Sequence, residues 1–236
     1  MQNKRKANKI YSKKSSSKEN LAKFISITPN GPYLVSNLPL DEAIMVVDMW
    51  GAAVDWEKGK KILTQKNYAL CRCGHSKKKP FCSGAHNEIG FNGKETAGKE
   101  KFSKNAEKLV GVKLKLLDKG PLCNHSGFCT VGEGVWDAVE NATGKKEIKK
   151  AVKQICDCPT GRLVVIDKKT NKEIEPKFEA SISLIKEPEG EGAIWVKGSV
   201  EIKSSDGKSY EKRNRVCLCR CGKSRNKPFC DGSHLD

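Results

Sequence analysis

The sequence has few aromatic residues, few acidic residues and no long apolar segment. Aromatic residues make up 6% of the 236 positions, and 28 Asp and Glu stand against 45 Lys and Arg, which gives a formal net charge of +17. The apolar run from Ala43 to Val47, in the most hydrophobic stretch, is far shorter than the roughly 20 residues of a membrane-spanning helix. We therefore expect no membrane span, and small domains whose stability depends on more than a hydrophobic core.

The first 23 residues lack apolar periodicity and are rich in Lys and Ser. This composition predicts a disordered basic tail over residues 1–23. The tail has no apolar segment of the kind found in secretory signals, although its charge leaves targeting to an organelle open. Because the chain has eleven cysteines, we expect a cytoplasmic, reducing location in which they bind metals or redox cofactors and do not form disulfides.

An internal repeat contains eight candidate metal ligands. The segment from Cys71 to His86 recurs 148 residues later as Cys219 to His234, and 11 of its 16 positions are identical. Short apolar or alternating runs bounded by Pro, Gly and Asn surround both segments, which predicts a small β unit around each. Both copies have the pattern C-x-C-x8-C-x3-H, so the candidate ligands are Cys71, Cys73, Cys82 and His86 in the first repeat and Cys219, Cys221, Cys230 and His234 in the second.

The two repeats also differ. The first has 13 additional residues somewhere between Pro39 and Asn67. Ser83 and Asp231 stand where either residue type could cap a short helix that ends near the histidine, so we predict such a helix in both repeats. Cys217 has no counterpart in the first repeat, and we expect it to be a thiol without a ligand role.

Three thiolates and one imidazole suit either zinc or an iron-sulfur cluster. Zinc modules usually separate their first two cysteines by two to four residues, whereas one residue separates them here. An iron-sulfur cluster spreads its ligands over more than one iron, so the close Cys pair could bind one iron and the distant Cys and His another. The spacing alone leaves both kinds of site open.

The second repeat, with its run Cys230-Asp231-Gly232-Ser233-His234, resembles the CDGSH iron-sulfur domain of the mitoNEET-like family. Members of that family hold a [2Fe-2S] cluster by three Cys and one His in a β-rich fold that associates in pairs. The resemblance implies one [2Fe-2S] cluster on each of the two ligand sets. It also implies that the two β units pack as a pseudo-dimer within one chain. The first repeat departs from the motif only at Ser83 and Ala85, which are not ligand positions.

A third group of cysteines lies between the repeats. Cys123 and Cys129 flank Ser126 in a C-x2-S-x2-C pattern, which is a ferredoxin ligand run with Ser in place of its central Cys, and Cys158 supplies the remote Cys-Pro. The segment resembles a divergent single-cluster ferredoxin family. That resemblance implies a [3Fe-4S] cluster on Cys123, Cys129 and Cys158, or a [4Fe-4S] cluster if Cys156, His125 or solvent adds a ligand. A zinc site or plain core thiols remain the alternatives.

The sequence therefore predicts an α+β, β-rich fold in which two small CDGSH-like β units flank a ferredoxin-like insert. Within the insert, the pattern predicts a strand over 112–117, a helical segment over 136–154 and a strand over 163–166. The predicted units are a basic tail over 1–23, the first CDGSH-like domain over 24–97, the ferredoxin-like domain over 105–178 and the second CDGSH-like domain over 180–236.

The motifs favour electron transfer as the function. The sequence has no general acid-base pair, nucleophile elbow, nucleotide-binding loop or HExxH motif beside the cysteines, so we do not expect an enzyme. Cluster storage or delivery is an alternative, because an imidazole ligand can be protonated and released. A zinc-dependent nucleic-acid-binding protein is another, based on the positive charge. The charge also favours an acidic redox protein as partner, and we expect a monomer that has no membrane span and does not bind nucleic acid.

Overall fold

The structure is a computed structural model that describes residues 22–235, so residues 1–21 of the predicted basic tail lie outside the described part. Thirteen strands in three sheets, three α-helices and three short 3-10 turns make up the described residues. The expected β-rich α+β fold is thereby confirmed. Among these helices, none has the length and apolarity that crossing a membrane requires.

Nine of these strands belong to the two repeats. In the first repeat they are β1 (Phe24–Ile27), β2 (Tyr33–Ser36), β3 (Leu40–Val47), β4 (Ala53–Ile62) and β5 (Asn67–Leu70), followed by helix α1 (Ala85–Glu88). In the second repeat they are β10 (Ser181–Glu187), β11 (Gly190–Lys197), β12 (Glu201–Lys203) and β13 (Arg215–Leu218).

The two repeats exchange strands. Strand β1 of the first repeat pairs in parallel with β12 of the second, with Ile25 opposite Ile202. Strand β3 of the first repeat likewise pairs in parallel with β10 of the second, with Leu40 opposite Ile182. The resulting sheets have the orders β12-β1-β2-β5 and β13-β11-β10-β3-β4, and their inner faces share one apolar core. The expected pseudo-dimer within one chain is therefore confirmed.

The additional residues of the first repeat lengthen one hairpin. Strands β3 and β4 form this long hairpin, whose turn follows Asp48. In the second repeat the corresponding strand β12 is followed by a tight turn at Gly207, after which Lys203 bridges Ser209. The long hairpin reaches beyond the repeat that contains it, and its residues contact the segment between the repeats.

That middle segment is a separate small α+β unit. Its strands form an antiparallel sheet in the order β6-β7-β8-β9, and its two helices pack on one face of this sheet around a core of its own. The strands are β6 (Glu107–Val110), β7 (Leu114–Asp118), β8 (Leu163–Asp167) and β9 (Glu173–Ile174), and the helices are α2 (Gly134–Asn141) and α3 (Lys145–Asp157). Short 3-10 turns cover Phe102–Asn105, Gly120–Leu122 and Phe128–Thr130.

The helical pattern over 136–154 is interrupted in the structure. Helix α2 ends at Asn141, and helix α3 begins at Lys145. The Glu147 carboxylate accepts hydrogen bonds from the backbone N–H groups of Thr143 and Gly144, at 2.9 and 3.0 Å. These bonds occupy donors at the start of a new helix, which explains why the apolar periodicity does not continue through one uninterrupted helix.

The middle unit packs against the long hairpin and the second repeat. The ring of Trp56, on β4, lies 5.0 Å from those of Phe128 in the middle unit and Trp195 on β11. Its indole N–H donates to the carbonyl oxygen of Asp157 at 2.8 Å. The Asn226 side chain of the second repeat donates to the carbonyl of Pro121 in the middle unit at 2.9 Å.

Candidate metal centres

The two repeat loops are built in the same way. Each begins directly after a strand, since Cys71 follows β5 and Cys219 follows β13. A backbone hydrogen bond of 2.9 Å brings the third cysteine of each loop back to that strand, from Cys82 to Ala69 and from Cys230 to Cys217. The Lys-Pro peptide bond before this return is cis in both loops. The sequence repeat is therefore also a repeat of backbone structure.

A serine braces each loop from within. The Ser76 hydroxyl donates to the carbonyl of Phe81 at 2.6 Å, and the Ser224 hydroxyl donates to that of Phe229 at 2.7 Å. Each hydroxyl oxygen also accepts a backbone N–H two residues further along, at 3.1 and 3.0 Å. These bonds close the segment between the second and third cysteines, so the serine of the motif has a structural role in both repeats.

The short helix predicted in both repeats is present in one of them. Helix α1 contains His86, but it begins after Gly84, without a side-chain cap. In the second repeat, residues 232–234 form a turn, and Asp231 accepts hydrogen bonds from the backbone N–H and hydroxyl of Ser233 at 3.2 and 2.7 Å. The capping prediction is therefore wrong for both repeats, because Ser83 does not cap α1 and Asp231 organises a turn.

In each repeat the candidate ligands lie in two close pairs. The Sγ atoms are 3.8 Å apart in Cys71 and Cys73, and 3.6 Å apart in Cys219 and Cys221. The sulfur-to-Nδ1 distance is 3.4 Å from Cys82 to His86 and 3.5 Å from Cys230 to His234. Within residues 22–235, no three His, Cys, Asp or Glu side chains are grouped closely enough to surround one metal ion.

These distances match ligands that share one tetrahedral metal ion in pairs. Two sulfurs bound at about 2.3 Å to one ion lie about 3.8 Å apart, and a sulfur and an imidazole nitrogen lie slightly closer. The paired donors therefore fit a two-iron cluster, with one iron on the two cysteines and the other on the Cys–His pair. In the second repeat, the hydrogen bond that joins Cys219 and Cys221 lowers the pKa of Cys221 to about 6 and raises that of Cys219, so without a metal the pair favours one thiolate and one thiol.

The two repeat loops lie back to back. Gly74 and Gly222 both have positive φ angles, and a Cβ at either position would overlap the opposite loop. At Gly74 it would overlap the carbonyl of Cys221, and at Gly222 it would lie 2.7 Å from the carbonyl oxygen of Cys73. Across the same interface, Tyr33 of the first repeat donates its hydroxyl to the Cys219 carbonyl at 2.8 Å. Both glycines are needed for this close approach.

The two histidines have different surroundings. The Nε2 atom of His234 lies 3.1 Å from a carboxylate oxygen of Glu187, at the end of β10. A hydrogen bond with Cys230, together with Glu187, raises the pKa of His234 to about 10. In the first repeat, the Nδ1 atom of His86 faces Cys82, and its Nε2 atom makes no hydrogen bond with any residue among 22–235. The carboxylate therefore holds and orients one histidine only.

Glu187 reaches His234 because one hairpin is longer. In β1–β2, five residues separate the paired residues Ile27 and Tyr33, whereas nine separate the paired residues Leu184 and Ile194 in β10–β11. Glu187 lies in this extension. No motif points to this residue, because a carboxylate 47 residues before the histidine gives no local sequence signal.

The third candidate centre lies in the middle unit. Burial, together with the nearby thiols of Cys158 and Cys123, raises the pKa of Cys129 to about 11 against the lowering effect of Arg162. The Arg162 guanidinium forms a two-point pair with Asp118, at 2.5 and 2.7 Å, and the nearby thiol of Cys123 helps to raise the pKa of this guanidinium. The structure therefore brings the three cysteines predicted from the C-x2-S-x2-C and Cys-Pro motifs into one neighbourhood, beside a fixed positive charge.

The surroundings of this centre fit a cluster. Asn124, next to Cys123, is 1% exposed, and its side-chain N–H donors have no acceptor among residues 22–235. Buried donors are normally satisfied, and the sulfides of an iron-sulfur cluster accept hydrogen bonds. Cys156, the candidate further ligand, instead donates its thiol to the carbonyl of Ile174 at 3.7 Å. His125 places its ring against Gly232 of the second repeat.

Two residues that were not predicted as ligands join the middle centre to the second repeat. The Arg215 guanidinium, on β13, donates to the carbonyls of Cys158 and Ile155 and forms an ion pair with Glu175. Cys217 is buried on the same strand, and Cys230 and Cys158 both raise its pKa beyond the effect of burial. Its backbone carbonyl accepts the N–H of Cys230, a candidate ligand of the second repeat. Neither contact gives a motif signal, because neither residue belongs to the repeat pattern.

The comparisons with known proteins agree with this arrangement. The family model of iron-binding zinc fingers of the CDGSH type matches residues 30–87 and 191–235. The model of divergent 4Fe-4S mono-cluster domains matches residues 109–168. The searches of curated proteins and of solved structures found no match.

Proposed function

Two CDGSH-type iron-binding domains flank a divergent 4Fe-4S mono-cluster domain in this iron-sulfur protein, and from this premise we propose that it transfers electrons and is not itself an enzyme. Each CDGSH-type domain holds a [2Fe-2S] cluster on its three Cys and one His. The middle domain holds a [3Fe-4S] or [4Fe-4S] cluster on Cys123, Cys129 and Cys158. Bound clusters of these kinds supply one-electron oxidation and reduction.

The observation that carries this proposal is the pairing of the donor atoms. The Cys–Cys pairs and the Cys–His pairs, at 3.4 to 3.8 Å, suit two irons in each repeat. The internal serines hold the loops, Glu187 holds one histidine, and Arg162 places positive charge beside Cys123, where it would stabilise an electron-rich centre. These are features of a protein that fixes and tunes cofactors.

The charge of the chain supports an acidic protein as redox partner. With a formal net charge of +17, the protein would attract a negatively charged partner over several ångströms and accelerate their encounter. All eleven cysteines are free thiols. This supports a reducing compartment, and we propose the cytoplasm.

Anaerobic purification followed by metal and sulfide analysis tests the proposal. We expect about seven or eight iron atoms per chain, a matching amount of acid-labile sulfide and three distinct centres in a reductive titration followed by EPR. The variants Cys82→Ser, Cys230→Ser and Cys129→Ser should each remove a different one of these signals. Stoichiometric zinc without sulfide would contradict the proposal.

Cluster delivery is a second candidate function, favoured by two observations at the first repeat. Cys82 is half-buried, whereas its counterpart Cys230 is 3% exposed, and the outer nitrogen of His86 has no hydrogen-bonding partner among residues 22–235. A centre held this way should be lost to an acceptor more readily. Mixing the loaded protein with a cluster-free [2Fe-2S] ferredoxin tests this: transfer should persist in Cys230→Ser and stop in Cys82→Ser. Absence of transfer from the unmodified protein would exclude this function.

A further inference from the structure

The ligand loop of the middle centre touches that of the second repeat. His125, two residues after Cys123, lies so close to Gly232 that a Cβ built on this glycine would overlap the imidazole ring. Gly232 itself lies between the candidate ligands Cys230 and His234. The contact therefore joins two cluster-binding loops directly.

The first repeat has the same backbone at this position but no such contact. Gly84 corresponds to Gly232, and their φ angles are +88° and +87°. A Cβ built on Gly84 would meet nothing within 4 Å. The repeats are thus matched in local conformation and differ in whether the middle unit is packed against them.

A second set of contacts joins the same two centres through β13. The Arg215 side chain holds the carbonyl of Cys158, a ligand of the middle centre. The strand that begins with Arg215 leads to Cys219, a ligand of the second repeat. Between them, the carbonyl of Cys217 accepts the backbone N–H of the ligand Cys230 at 2.9 Å. Asn67 takes the place of Arg215 in the first repeat, and it is exposed.

The second repeat also touches the first through the back-to-back loops at Gly74 and Gly222. Its ligand loop is therefore in contact with the ligand loops of both other centres. Nothing comparable joins the first repeat's ligand loop to the middle unit at the matched position Gly84.

We propose that the three centres form a linear relay in which electrons pass between the middle centre and the second repeat across the contact of His125 with Gly232, and reach the first repeat only through the second. In each step one electron leaves the reduced donor centre, which is oxidised by one electron, and reduces the acceptor centre by one. A one-electron protein donor or acceptor at each end completes the balance. The relay rests on the proposed electron-transfer function.

The order of the centres can be tested by EPR on the fully reduced protein. Cys82→Ser leaves the second repeat's [2Fe-2S] signal and Cys230→Ser leaves the first repeat's, each beside the middle centre. We expect the microwave power that half-saturates the signal to be several-fold higher in Cys82→Ser, because a nearby paramagnetic centre accelerates spin relaxation. Adding Cys129→Ser should abolish this difference. Equal saturation in the two variants, or the opposite order, would overturn the relay.

The contact itself can be tested by rates of internal transfer after rapid photoreduction with a small one-electron donor. We expect Gly232→Ala, which displaces His125, to slow equilibration between the middle centre and the second repeat several-fold. Gly84→Ala carries the same backbone strain and should leave that rate unchanged. Equal rates in both variants would exclude this contact as the route. Iron and sulfide are measured in the same samples, and their absence would refute the electron-transfer function itself.

Discussion

The two repeats share a ligand pocket and differ in what surrounds it. The paired donor distances agree within 0.2 Å between them, as do the serine brace and the cis Lys-Pro bond. Among residues 22–235, only the second repeat has a carboxylate on its histidine, an arginine that reaches the middle unit and a glycine covered by His125. The comparison shows that a duplicated site can keep its cofactor geometry while the environments of the two copies diverge.

Docking of the middle unit explains much of this divergence. The two repeats present pseudo-equivalent surfaces, and the middle unit covers the one on the second repeat. Positions that this unit covers there are therefore not covered by it in the first repeat. The long β3–β4 hairpin of the first repeat completes the attachment through Trp56. Substitutions at matched positions can therefore separate contributions of the pocket from contributions of its environment.

The largest difference in the free energy of unfolding should appear between substitutions of Arg215 and of its counterpart Asn67. Arg215 is 1% exposed, and its replacement by Met would leave several carbonyls without this donor and Glu175 without its ion pair. We expect Arg215→Met to lower the free energy of unfolding by about 3 kcal/mol. Asn67→Met should change it by about 0.5 kcal/mol or less. Urea denaturation followed by tryptophan fluorescence measures both, and similar effects would show that Arg215 does not anchor the middle unit.

A smaller effect on the free energy of unfolding is expected when Trp56 is replaced. This residue is half-buried between the hairpin, the middle unit and β11. Trp56→Ala should lower the free energy of unfolding by about 2 kcal/mol, below the value for a fully buried tryptophan, because both ring contacts and one hydrogen bond are lost. The control is Trp50→Ala in the hairpin turn, where the side chain is 83% exposed and a change of at most about 0.5 kcal/mol is expected. If the two variants unfold alike, the hairpin does not hold the middle unit.

Glu187→Gln should lower the stability of the protein in a pH-dependent way, through His234 of the second repeat. The pKa of His234 is raised to about 10, above its ordinary value of 6.5, so the stability that its charge contributes is complete below pH 6.5 and lost as pH rises through about 10. In the metal-free protein we expect Glu187→Gln to lower that pKa and to destabilise by about 1 kcal/mol at pH 6. The difference should vanish above pH 10. Histidine titration by NMR and unfolding at both pH values provide the measurements.

The control for this substitution is Glu189→Gln. Glu189 is an exposed residue of the same turn, so its replacement should leave the pKa of His234 in place. An equal shift in both variants would mean that general charge, and not the contact at 3.1 Å, sets the state of the histidine.

The smallest effect on the free energy of unfolding should come from exchanging Ser83 and Asp231, the residues after the third cysteine of each loop. Asp231 accepts the backbone N–H of Arg225 at 2.8 Å in addition to its bonds with Ser233, whereas Ser83 accepts only that of Lys77 at 3.3 Å. Asp231→Ser should therefore lower the free energy of unfolding by about 1 kcal/mol, and Ser83→Asp should raise it by about 0.5 kcal/mol. Urea denaturation at neutral pH would test these opposite signs, and changes of the same sign would contradict the assigned role of Asp231.

Local patterns predicted the parts of the fold that depend on neighbouring residues. Strands around both cysteine loops, and β7 and β8 among the four strands of the middle unit, follow from short apolar or alternating runs. The break between α2 and α3 was missed, because the apolar period continues across it while the hydrogen bonds of Glu147 start a new helix. The caps at Ser83 and Asp231 failed because these side chains have competing partners in the folded loops.

The sequence by itself determined which donor atoms are available and how they are spaced, since C-x-C-x8-C-x3-H specifies two close pairs joined by one loop. Only the tertiary structure decided what each centre has as its neighbour. Glu187 meets His234 across 47 residues, and His125 meets Gly232 across a domain boundary. Such contacts depend on strand exchange and on which face the middle unit covers. The free energy of these long-range arrangements comes from buried surfaces that no local pattern encodes.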